Sequence, residues 1–67
     1  MNSMTTLPPT DDEIRQAAEA LVARYGRSAV EVVTHRAESF CGEGRWPEHS
    51  TALRMLTVVE SLLREGI

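Results

Sequence analysis

The stretch Ala52-Leu53-Arg54-Met55-Leu56-Thr57-Val58-Val59-Glu60-Ser61-Leu62-Leu63 constrains this chain more than any other, because no other segment carries as much aliphatic surface. Ala52, Met55, Leu56, Val59, Leu62 and Leu63 recur at i, i+3, i+4 and i+7, the spacing that aligns side chains on one face of a 3.6-residue helix. Met55, Val58 and Leu62 widen that stripe to one side, and Leu53 stands apart from it. A single partner helix needs only a narrow seam, so a face this broad requires at least two neighbours. The expectation is an all-α fold: a small three-helix domain with short loops.

Sixty-seven residues make one domain at most, and a chain this short buries a smaller share of its surface than a larger one does. Below about 70–80 residues one core rarely supplies more than about 3–5 kcal/mol, so small scaffolds add disulfides, a metal, close helix packing or a partner. Cys41 is the only cysteine, which excludes an internal disulfide and leaves packing, self-association or a larger complex. Residues 1–9 have neither a basic run nor an apolar one, and about 18 consecutive apolar residues occur nowhere. These features predict a cytoplasmic protein with no membrane partner. The net charge is −3, and the seven cationic residues are all arginine, scattered from Arg15 to Arg64. Such a distribution argues against nucleic acid as a partner. Arginine without lysine is what a GC-rich coding sequence produces.

Taken in order, residues 1–9 combine Ser, Thr and Asn with Pro8-Pro9 and read as a flexible tail, followed by a single helical domain over 10–67. Thr10-Asp11-Asp12-Glu13 fits a capping box, with Asp11 and Asp12 placed where the helix dipole favours negative charge. Ile14, Ala17, Ala18, Leu21, Val22 and Tyr25 then repeat at helical spacing, predicting a first helix over about 11–25, which Gly26 ends. Ser28-Ala29-Val30-Glu31 repeats the capping-box pattern and opens a second helix over about 29–42. Its apolar face carries Ala29, Val30, Val33, Ala37, Phe40 and Cys41, with Glu31, His35 and Glu38 opposite. The β-branched run Val30, Val32, Val33 and Thr34 leaves a strand over 29–34 as the alternative, but the caps and the continuing period favour helix. Gly42-Glu43-Gly44-Arg45 breaks the pattern. Pro47 is preset for a first helical turn, so the third helix is expected over about 47–65 with Trp46 in the loop before it. The expected core is Ile14, Leu21, Tyr25, Val33, Phe40, Met55, Leu56, Val59 and Leu62, with Phe40 as its central anchor.

With these elements in place, the layout Ala-x₂-Leu-Val-x₂-Tyr-Gly-x₂-Ala-x₆-Arg-Ala, followed by Gly42-Glu43 and Val59-Glu60-x-Leu62, resembles short uncharacterised all-helical proteins of α-proteobacteria. In these a helix ending in Tyr-Gly or His-Gly precedes an Arg-Ala helix, a Gly-Asp loop and a final helix. The resemblance covers about residues 14–63 and rests on core spacing and caps. Those proteins commonly carry Trp within the last helix, near the position of Ala52, whereas this chain has Trp46. The resemblance implies a fold and no active site.

The residues offer little chemistry. His35, Cys41 and His49 are the only soft-ligand side chains, and a zinc site needs three or four converging on one point. His35 lies on the polar side of its helix, where a solvated histidine near Glu31 and Glu38 is the simpler reading. Cys41 has no evident base and sits near a helix C-terminus, where the dipole disfavours a thiolate, so it reads as a small buried hydrophobe. Capping and solvated surface account for the carboxylates. The chain is therefore expected not to be an enzyme, with no catalytic residue, no cofactor and no metal. The glycine-containing turn between the first two helices admits a helix-turn-helix regulator that binds nucleic acid, but a recognition helix should present Arg, Lys, Asn or Gln, and here Ala29, Val30, Glu31, Val32 and Val33 stand there. A metal-binding protein using His and Cys is the second alternative. The reading favoured by the sequence is a helical protein-interaction or accessory module whose surplus apolar residues, Trp46, Leu53, Val58 and Val32, with Ile67 at the terminus, dock on a protein partner. Leu53 and Val58 point to opposite flanks of the third helix, so one flank is expected to stay uncovered and to form a homodimer.

Overall fold

A computed structural model describes residues 7–66, and these are helical throughout apart from the leading segment, one loop and the final turn. The α-helical spans are α1, Asp11–Tyr25, α2, Ala29–Gly42, and α3, Trp46–Arg64. Residues 1–6 of the expected tail 1–9 lie outside the described residues, as does Ile67.

The start of α1 follows from its sequence. The Thr10 N–H donates to Glu13 Oε1 at 2.8 Å and the Glu13 N–H donates to Thr10 Oγ1 at 3.2 Å, so both halves of the capping box form. At the other end Gly26 has φ 59° and ψ −135°, a conformation open essentially to glycine alone. The helical backbone does not lapse there. Gly26–Ser28 forms a single 3₁₀ turn that leads directly into α2, so the described chain consists of two helical runs, a bent one from 11 to 42 and α3. This corrects the expectation of three separately capped helices. Ser28 has helical dihedrals, φ −67° and ψ −12°, and makes no side-chain cap bond. An N-cap residue accepts that bond from an extended backbone, and the tight turn after Gly26 leaves Ser28 no room to be extended.

The corner between α2 and α3 is a Schellman motif. The Arg45 N–H donates to Phe40 O at 2.9 Å and the Gly44 N–H to Cys41 O at 3.1 Å, the 6→1 and 5→2 pair of that motif. Gly44, at φ 72°, occupies the left-handed position. Arg45 ends this motif and is also the N-cap of α3, so Trp46 is the first helical residue rather than a loop residue, and Pro47 sits within the first turn. Three residues suffice to reverse the chain.

α3 lies against both α1 and α2, as its wide stripe requires, while α1 and α2 touch each other little beyond the bend. One buried cluster holds the three together: Ala18, Val22, Ala29, Val33, Ala37, Ala52, Val59 and Leu62, half of them alanine. Ile14 is also buried, 2 % exposed. Small side chains occupy the centre of the contact, where they let helix axes approach closely, and the larger side chains lie at its margins. Leu21, Phe40, Met55 and Leu56 are only half-buried. Tyr25 is exposed, since the bend begins at its own position and its ring lies under the Arg24 guanidinium, 5.6 Å away. Cys41, expected to be buried, is exposed on the last turn of α2. Phe40 is therefore not the central anchor of the core; Val33, Val59 and Leu62 are its largest fully enclosed side chains.

Candidate interaction surface

Two surfaces on α3 follow from this packing. The first is a groove. Because α1 and α2 touch little beyond their shared bend, the space beside the first half of α3 is left open as a groove of about 940 Å³. Val33, Phe40, Ala52 and Met55 supply its apolar walls, with Arg36, Glu48 and Arg54 at the polar margin and Leu7-Pro8-Pro9 along one side.

Charged contacts hold both ends of this groove. At the α2–α3 corner the Arg45 guanidinium stacks 5.0 Å over the Phe40 ring, bonds Glu48 Oε2 at 3.2 Å and reaches Glu43 Oε1 at 3.5 Å. The hydrogen bond and charge of Glu48 raise the Arg45 pKa further above its ordinary value, so the cation over Phe40 persists at any pH the fold meets. Beside it the His49 Nδ1 lies 2.9 Å from Ala37 O. The carbonyl accepts, so Nδ1 carries the proton, and the ring pins α3 to the backbone of α2. At the other end Arg54 donates to Asp11 Oδ1 at 2.7 Å and to Pro9 O at 3.3 Å, joining the middle of α3 to the first turn of α1 and to the segment before it.

The second surface is the opposite flank of α3. Trp46 and Leu53 are seven residues apart and therefore share a side of the helix; they are 57 % and 46 % exposed. The Trp46 ring meets the His49 ring edge-on at 5.7 Å, which fixes its direction without covering it. Val58 does not join them. It is half-buried against the core and faces α1, where it lines a small cleft with Ile14, Arg15 and Thr57. Val32 is half-buried on α2. Of the four residues singled out from sequence, the fold thus brings together Trp46 and Leu53 and separates Val58 and Val32 from them.

The residues considered for other chemistry are dispersed. His35 and Cys41 are both exposed on α2, and His49 is committed to Ala37. Among the described residues no three His, Cys, Asp or Glu side chains converge as metal ligands would. In the first turn of α2, Ala29 is buried and Glu31 faces outward. No described helix is long and apolar enough to cross a membrane.

The groove itself was not foreseen from sequence, and two signals bear on it. Ala52 puts a small side chain on the inward face of α3, where a larger one would fill the space beside Val33 and Phe40. Arg54 is the one cation within the aliphatic stretch 52–63, a sign that something anionic or carbonyl-rich lies beside it. Comparison with protein-family models, with curated proteins and with solved structures gives no match.

Proposed function

We propose that this chain is a small non-enzymatic helical protein-interaction or accessory module that self-associates as a homodimer through the α3 flank bearing Trp46 and Leu53. The observation that carries this reading is the exposure of two large apolar side chains on one side of one helix. The physical motive is the small core: four of its eight clustered residues are alanine, each of which contributes less burial than a Val or Leu. A second copy supplies the missing apolar contact, and two-fold pairing is the commonest way for a chain to meet itself. Two α3 helices related by such an axis would place Trp46 and Leu53 of each copy against the other, with aromatic and aliphatic anchors at the centre as tight interfaces have.

Light scattering tests this directly. Wild-type protein at high micromolar concentration is expected to have the mass of two chains, and Leu53→Asp the mass of one, with helicity by circular dichroism retained because Leu53 is outside the core. A wild type of single-chain mass at that concentration would remove the support for self-association.

A further inference from the structure

We propose that Leu7-Pro8-Pro9 is a strap that closes over the groove between α2 and α3, held at its base by Arg54. Four observations converge on this. The three residues already line one side of the groove. Their base is fixed twice, by Arg54 to Pro9 O and by Arg54 to Asp11, while the capping box of Thr10 sets the direction in which the chain leaves α1. Two consecutive prolines fix their own φ near −65° and hold the preceding residue extended, so the strap is stiff and swings as a unit about its base. Two residues before Pro9, Leu7 lines the groove yet remains 75 % exposed, a large aliphatic group beside an apolar wall it has not filled.

In the closed form the Leu7 side chain rests on Met55 and Phe40, and the groove is occupied by the chain itself. Arg54 is then a latch. Its pair with Asp11 is solvent-exposed, with side-chain exposures of 43 % and 99 %, so it is readily broken and screened by salt. Releasing it frees the base of the strap, which the closed form needs in place. This device is independent of dimerisation. Met55 and Trp46 are nine residues apart on α3, which at 100° per residue puts them on opposite sides of the helix.

Methyl NMR on the full chain, with ¹³C-labelled methionine and leucine methyls, reads the strap position. The wild type is expected to show a nuclear Overhauser contact between Leu7 and Met55 methyls, and a soluble gadolinium chelate should relax the Met55 methyl at least twofold more slowly than in Arg54→Ala or Leu7→Ser. Leu7→Ser removes a side chain that is mostly exposed, so its fold is retained even if Arg54→Ala loosens α1. The proposal is overturned if the wild type lacks the Leu7–Met55 contact and chelate relaxation of Met55 is the same in all three proteins.

Discussion

Leu62 and Phe40 illustrate how far burial departs from size in this chain. Phe40 is the larger, the only phenylalanine, and sits where the apolar period of α2 points inward. It ends up half-buried beside the groove, capped by Arg45. Leu62 is fully enclosed. Truncating a buried leucine removes its transfer energy and leaves a cavity, together about 2–5 kcal/mol. That is comparable with the about 3–5 kcal/mol a core of this size provides. Leu62→Ala is therefore expected to abolish the cooperative melt followed by circular dichroism, whereas Phe40→Ala, losing about half as much, should keep a melt at a lower midpoint. The reverse order would contradict the core described here. Periodicity placed both residues on inward faces, and it placed Ile14, Val33, Val59 and Leu62 correctly. It could not rank them, because the ranking depends on how closely alanines let the helices approach. Tyr25 and Cys41 escaped for a related reason: each lies in the last turn of its helix, where a correct angular position no longer has a neighbour opposite.

At the scale of elements, the caps separate what is local from what is not. Thr10 and Ser28 begin the same Ser/Thr-x-x-Glu pattern, yet only Thr10 forms the reciprocal bonds. A functioning N-cap contributes about 0.5–2 kcal/mol. Thr10→Ala is accordingly expected to lower stability in urea titrations by about 1 kcal/mol, and Ser28→Ala to leave the midpoint nearly unchanged. Equal losses would mean that Ser28 caps α2 after all. Sequence gave both sites the same expectation because a capping box is read from four residues, while whether it forms depends on the backbone before it. Gly26 takes the chain from one helix into a 3₁₀ turn, and no extended residue fits between. The α2–α3 corner was more legible. Gly44 and Pro47 mark a stop and a start only three residues apart, and the Schellman motif joins them.

On the scale of the whole molecule, the wide stripe of α3 was enough to require two neighbours, and α1 and α2 are those neighbours. What it left open was which flank they would leave bare. Val58 and Leu53 looked equivalent from sequence, and the packing of α1 on α3 through Ile14, Ala18 and Val22, which brings α1 beside Val58, decides the matter. Leu53 and Trp46 remain outside. Trp46 is the only tryptophan, so its fluorescence reports on this flank without labelling and is the most direct measure of self-association through it. A dilution series of the wild type from high micromolar to nanomolar concentration should shift the Trp46 emission to longer wavelength as dimers separate and the indole returns to water. An emission maximum that stays constant over the whole series would contradict the account.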